Sequence, residues 1–239
     1  MDAGIELSGV EFVVQGKTIL HGVSLSLTAR RVGIIGRNGS GKTTLLRLIA
    51  GLVAPTSGTL RVAGRDPARE RQAMLAEIGI LFQNPEHQII FPTVEEELTF
   101  GLHQMGRADE AAARVQAMLA AEGRAHWAGA PVSALSQGQK QWLCLMAVLL
   151  MAPRRLLLDE PFAALDLPTQ ARLRRRLADL PQQIITISHD PEAVADCDRV
   201  IWIEAGTVAM EGAPEAVLPA FRAEMTRLGE ADADTDLPR

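Results

Sequence analysis

The segment Gly36-Arg37-Asn38-Gly39-Ser40-Gly41-Lys42-Thr43, followed by Thr44, sets a glycine, four residues, and then Gly-Lys-Thr between an apolar run and a stretch of helical spacing. That order is built for a polyphosphate. Successive backbone N–H groups must turn inward around phosphate oxygens, at φ values and approach distances that a Cβ would block. The helix that follows adds roughly +0.5 of a charge at its N-terminus. Lys42 supplies a full cation for the β and γ phosphates, and the Thr43 hydroxyl can coordinate Mg²⁺. A second chemical segment, Leu156-Leu157-Leu158-Asp159-Glu160, is an apolar strand ending in two carboxylates. Strands of a parallel sheet present their carboxyl ends to the ligand crevice, so both acids are expected beside the phosphate loop. There Asp159 would hold Mg²⁺ through water and Glu160 would take a proton from the attacking water. A third, Leu135-Ser136-Gln137-Gly138-Gln139, precedes a strongly apolar helix. Ser136 and Gln139 form a capping box by themselves. Beside a nucleotide loop, the same capped end with Gly138 also reads as a second phosphate-binding helix terminus.

Several elements must hold these residues. Short apolar pieces, Ile5-Glu6-Leu7, Val10 to Val14 and Val23 to Leu27, separated by Gly9, Gly16 and Gly22, read as antiparallel strands. Val32 to Ile35 is a buried strand, and Thr43 to Ala50 a helix closed by Gly51. Thr59 to Val62 is a further strand. From about Asn84 to Ala152 the pattern is helical, with a capping box at Thr93 and Glu96 and an alanine-rich helix over Ala108 to Ala121. Strands and helices then alternate: Leu156 to Leu158, Thr169 to Leu180, Ile184 to Ser188, Pro191 to Ala195. That alternation implies a mainly parallel sheet. Arg199 to Ile203 and Thr207 to Met210 form a closing hairpin, and the acidic end from about Gly229 is expected to be unstructured.

Composition narrows the class. Net charge is −5, with 47% hydrophobic and 22% charged residues, which suits a globular chain and gives no reason for nucleic acid as a partner. The apolar run Trp142 to Ala152 is too short for the ~20 residues a bilayer requires. The start, Met1-Asp2-Ala3-Gly4, lacks the basic and apolar parts of a signal peptide, so a cytoplasmic location is expected. Cys144 and Cys197 have no metal-ligand spacing and read as reduced core thiols.

With these motifs in this order, the chain resembles the nucleotide-binding ATPase subunits of ABC transporters from about residue 5 to 220. The resemblance implies a P-loop (RecA-like) α/β core with a parallel sheet, an N-terminal antiparallel β subdomain and an inserted helical subdomain. The expected division is 1–83 for the β subdomain and the phosphate-loop half of the core, 84–152 for the helical subdomain, 153–221 for the second half of the core, and 222–239 for an unstructured tail. It also implies ATP and Mg²⁺ as ligands, with Thr43, Gln83 and Asp159 around the metal. Glu160, His189 and Gln83 would be catalytic, Ala164-Leu165-Asp166 would be the D-loop, and Ser136, Gly138 and Gln139 would contact a phosphate. Family members work as head-to-tail dimers in which each ATP lies between one subunit's phosphate loop and the other's signature helix. A homodimer is favoured here, with a heterodimer as the other possibility. The aromatic that usually stacks on adenine falls near Val14, with Phe12 on the same strand face. The signature has Gln137 where glycine is usual, and Trp142 where arginine commonly follows.

Within that family, Phe82 to Gln88 and Phe91 to Glu96 resemble the energy-coupling-factor importers, whose ATPases drive a transmembrane coupling protein and a membrane protein that captures substrate. Phe91-Pro92-Thr93 would face the coupling helices, with Phe91 and Val94 at the surface near Gln83. The short C-terminal region and Ala29-Arg30-Arg31 resemble the biotin-uptake ATPases more than the cobalt or nickel ones. The alternatives are a cobalt or nickel importer of the same type, and a non-transport P-loop ATPase.

Overall fold

The apolar alternation of the first residues becomes two long strands in the computed structural model, which describes residues 4–230. β1 (Ile5–Val14) and β2 (Lys17–Leu27) pair antiparallel. Gly9 and Gly22, expected to separate short strands, instead sit inside these long ones at φ +57° and +64°, where the pairing register shifts. They act as bulges, which bend a strand without ending it because glycine takes the left-handed conformation freely. β3 (Arg31–Ile35) leads into the glycine loop and α1 (Lys42–Ile49) leaves it. β4 (Ser57–Val62) pairs with β1, giving a three-stranded sheet of order β2-β1-β4.

α2 (Arg71–Glu77) and β5 (Ile78–Leu81) follow, and neither is expected from the sequence. A four-residue strand joined directly to a two-turn helix is too short to establish a period of its own. The helical lobe then comprises α3 (Val94–Gln104), α4 (Ala108–Ala121) and α5 (Gln137–Leu150). β6 (Arg155–Asp159), α6 (Leu167–Ala178), β7 (Gln183–Ser188), β8 (Arg199–Glu204), β9 (Thr207–Gly212) and α7 (Pro214–Glu230) complete the core.

The central sheet has the order β5-β6-β7-β3-β8-β9, parallel except for the β8–β9 hairpin. β3, β6 and β7 are therefore adjacent, with Ile35 opposite Ser188 and Asp159 opposite Ile187. Their carboxyl ends open on one edge, which brings together three chemical segments far apart in the chain. At the opposite, amino-terminal edge of these strands, Arg155, 1% exposed, is paired with Glu77 at 2.6 Å and Gln183 at 3.0 Å.

Two expected elements change. Pro191 to Ala195 forms only a 3-10 turn, Pro191–Ala193, because Val194 turns inward against the β3 backbone: a Cβ placed on Gly33 would lie 2.6 Å from the Val194 Cβ. The region from 222, expected to be unstructured, is helical through Glu230. α7 buries Val217, Leu218 and Phe221, and Phe221 meets Trp202 of β8 edge-on at 5.5 Å, so burial outweighs the polar composition of its outer face. The expectation for 231–239 lies outside the described residues. Among the described residues, no helix is long and apolar enough to cross a membrane.

Candidate functional site

The glycine loop needs its glycines. Gly39 and Gly41 have φ +80° and +106°, and a Cβ on Gly36 would stand 2.2 Å from the Ile203 carbonyl oxygen. Lys42 folds back across the loop, its Nζ donating to the carbonyls of Gly36 at 2.7 Å and Arg37 at 2.8 Å. Ser40 Oγ is buried with no hydrogen-bond partner. An ammonium held in the loop's mouth and an orphaned hydroxyl in a cradle without side chains suit a bound phosphate group. Burial holds Lys42 below its ordinary pKa, against the pull of Glu160, Asp159 and Glu204.

A cavity of about 610 Å³ opens on this loop. Asn38, Gly39, Gly41, Lys42, Thr43, Thr44, Gln83, Glu160 and His189 line it, so residues from four separate segments meet there. Lys17 and Ile19 also line it, and neither was anticipated. Phe12 and Val14 do not. Phe12 is half-buried against the core of the three-stranded sheet, and the β1–β2 register shifts between Phe12 and Val13, so equal spacing along the strand does not mean a shared face. The sequence signal for Ile19 is the continuation of β2 across the hairpin from Val14, the residue paired with Lys17. Gly36 and Arg37 border a neighbouring cavity of about 530 Å³ under α7, shared with Asn38 and His189.

The two carboxylates occupy different environments. Asp159 closes β6 and is 8% exposed; burial, with a further push from Glu160, raises its pKa above the ordinary carboxylate value, while Lys42 and Arg47 oppose. Glu160 begins the next turn at φ +47°, a conformation that costs a non-glycine residue on the order of 1 kcal/mol and is kept where the surroundings fix it. Here they do so from β7: Glu160 Oε2 accepts from Ser188 Oγ at 2.7 Å, and Oε1 accepts from the His189 backbone N–H at 2.8 Å. His189 Nδ1 lies 2.8 Å from the same Oε1. The carboxylate is held rigidly at the cavity wall, the condition for accepting a proton from a positioned water. Cys144 and Cys197 are free thiols pushed up to about 12 by burial, so neither is a nucleophile at neutral pH.

A stability consequence follows for Asp159. With its folded pKa above that of the unfolded chain, this acid lowers stability as pH rises through the folded value. Asp159→Asn is expected to raise the melting temperature of the nucleotide-free chain at neutral pH, because the variant has no carboxylate to desolvate. The gain should shrink as acidification neutralises the wild-type carboxylate. Melting curves across pH check this; a variant less stable than wild type at neutral pH contradicts it.

The signature segment lies elsewhere. Ser136 caps α5 in a reciprocal capping box, with Gln139 N donating to Ser136 Oγ at 3.3 Å and Ser136 N to Gln139 Oε1 at 2.7 Å. A Cβ on Gly138 would stand 2.9 Å from Thr169 Cγ2, so this glycine is needed for close packing on α6. Ser136, Gly138 and Gln139 line a separate cavity of about 260 Å³ with Arg124, Trp142 and Arg172. One chain does not bring the signature to its own phosphate loop.

α5 also holds the loop that carries Gln83. Gln141 Nε2 donates to the Phe82 carbonyl at 3.3 Å, and Lys140 pairs with Glu86. The apolar surface beyond Gln83 differs from expectation. Val94 is fully buried in the helical lobe, since the first turn of α3 packs on that core. Phe91 is half-buried against Phe100, with ring centres 5.2 Å apart. The exposed apolar residue is Ile90, at 69%.

The ABC transporter family matches residues 20–163, from β2 past the Asp159–Glu160 pair. The chain is 47% identical to the biotin transport ATP-binding protein BioM of Rhodobacter capsulatus, over 96% of this chain and 98% of the relative. Among solved structures it is similar to cbiO1 of Clostridium perfringens, part of the ABC transporter complex cbiONQ, with a TM-score of 0.80 and 29% identity over 97% of this chain and 98% of that one. It is also similar to a dimeric ATP-binding cassette in a post-hydrolysis state bound to ADP and Pi, with a TM-score of 0.76 and 25% identity over 88% of this chain and 98% of that one.

Proposed function

This chain belongs to the ABC transporter family of ATPases, and from that premise we propose that it drives an energy-coupling-factor importer of a vitamin, biotin, from the cytoplasmic face of the membrane. The observation that carries the mechanism is the separation of the phosphate loop and the signature helix into two cavities of one chain. Each needs a second ATPase subunit to complete it, and two identical chains placed head to tail make two whole sites. The cargo reading is supported by the identity to BioM along nearly its whole length.

In this reading the loop N–H groups and Lys42 hold the β and γ phosphates, and Thr44 follows at the start of α1. Thr43, Asp159 and Gln83 are the residues that would hold Mg²⁺, which supplies charge neutralisation to the phosphate oxygens. Glu160 takes the proton of the attacking water. His189 steadies Glu160 by its backbone N–H and ring, and it sits at the mouth shared by the two cavities under β7 and α7. Lys17 and Ile19 offer the base an aliphatic wall where an aromatic is usual.

Coupling runs through the loop after β5. Because Gln141 and Lys140 fasten it to α5, movement of the helical lobe on closing around ATP moves Ile90 with it, and Ile90 and Phe91 face the transmembrane coupling protein. Ile90→Glu is expected to keep ATP affinity, since the side chain is exposed and outside the phosphate-loop cavity. It should lower capture of the coupling protein at least tenfold, because a carboxylate buried unpaired at an interface costs several kcal/mol. A detergent pull-down beside an ATP titration measures both; loss of ATP binding with the partner retained would reject the docking face. A cobalt or nickel importer is the second reading, favoured by the likeness to cbiO1. Purifying the chain with its membrane partners and identifying the bound small molecule decides between them.

A further inference from the structure

The cavity at the start of α5 holds more positive charge than a helix cap explains. Arg124 and Arg172 both line it, and Trp127 and Trp142 form its wall. The Arg124 guanidinium lies 4.3 Å from the centre of the Trp142 ring and 5.1 Å from that of Trp127, so the negative faces of two indoles hold it in place. Its carboxylate neighbour is already occupied. Glu122 Oε2 stands 4.0 Å from Arg124 and accepts from Trp142 Nε1 at 3.0 Å, while Oε1 accepts from Arg176 Nε at 2.8 Å. Arg124 Nη1 donates to the Glu122 backbone carbonyl, but Arg124 Nε is buried with no hydrogen-bond partner.

The remaining acid gives little more. Asp166 Oδ1 accepts from the Thr169 N–H at 2.8 Å as the cap of α6, and Arg172 reaches Thr169 Oγ1 at 3.0 Å. Burial, with a smaller push from the like charge of Arg172 and against the pull of Glu122, holds Arg124 below its ordinary pKa. Three guanidinium groups therefore share two carboxylates, of which Glu122 has both oxygens engaged and Asp166 has Oδ1 engaged as a helix cap, beside the N-terminus of a helix that adds its own positive end. An anion entering from outside the chain would satisfy them.

We infer that Arg124, steadied on Trp142, binds the terminal phosphate of an ATP held in the phosphate loop of a second copy of this chain. The inference rests on the composite site proposed above and adds a cation to its signature side. It gives Trp142 a purpose, as the platform on which that cation rests.

The test uses chains with Glu160→Gln, in which ATP is not consumed, and follows the MgATP-dependent dimer by analytical ultracentrifugation. Adding Arg124→Gln is expected to weaken that dimer about 10- to 150-fold for each of its two sites, the loss of one charge-assisted contact per site. The ATP affinity of the separate chain should not change, since its phosphate loop is in the other cavity. Arg124→Lys keeps a charge and is expected to recover most of the affinity, which a packing role would not allow. Should the glutamine variant not fold, Arg172→Gln on the exposed face of α6 decides, with a several-fold weakening expected. Dimers as tight as the parent's, or lysine and glutamine variants equally impaired, overturn the role of Arg124 and leave the composite site standing. Failure of the Glu160→Gln parent to dimerise with ATP overturns the composite site and this role together.

Discussion

Glu160→Gln is expected to bind ATP as the parent does and to hydrolyse it about 10²- to 10⁴-fold more slowly, the span usual for a general base. Glutamine has nearly the shape of glutamate, so its amide oxygen can still accept from the His189 backbone N–H that now reaches Oε1 at 2.8 Å. The left-handed turn at residue 160 and the Ser188 contact also survive, because both depend on the backbone and on a polar side-chain end. What disappears is the capacity to take a proton. ATP-bound dimers should then accumulate, since closure precedes the lost step and opening follows it. Single-turnover hydrolysis measured beside ATP affinity and dimer content checks this, and wild-type turnover in the variant would show that another group is the base.

Lys42→Ala should reduce ATP affinity by about 10- to 150-fold, the loss of one charge-assisted contact of roughly 1.5 to 3 kcal/mol in a partly dried cavity. Its fold should remain, because in the nucleotide-free chain Nζ only bridges the carbonyls of Gly36 and Arg37, and both can turn to water once it is gone. The expected signature is thus a folded chain with an unchanged melting temperature without nucleotide and a much smaller rise when ATP is added. Calorimetric titration decides: affinity equal to that of the parent would remove the phosphate loop from the site. Arg37 and Asn38 are not expected to substitute, since neither can place a cation where Nζ lies among the loop's own N–H groups.

Spacing alone made the phosphate loop, the Asp159–Glu160 pair, the capped start of α5 and the parallel core legible, because each rests on local geometry. A glycine turn before a helix, an apolar run ending in acids, and a Ser-to-Gln capping box are complete within a few residues. His189 became significant by its place in a series of motifs, and its 2.8 Å contact to Glu160 needed β6 and β7 to be neighbours, which sequence order alone does not state.

The tertiary structure decided everything that depends on where a strand or helix points once it is packed. Gly9 and Gly22 look like breaks in a string of residues and are bulges in a paired sheet. Phe12 is turned into the core and Ile19 into the cavity by register shifts in β1 and β2. Val94 is buried and Ile90 exposed because the helical lobe covers one and leaves the other. Arg124, separated from the signature by a turn of no evident pattern, reaches it only because Trp127 and Trp142 fold to the same wall. Local motifs are written in neighbouring residues; the orientation of a side chain is set by burial against segments far away in the chain, and no spacing encodes it.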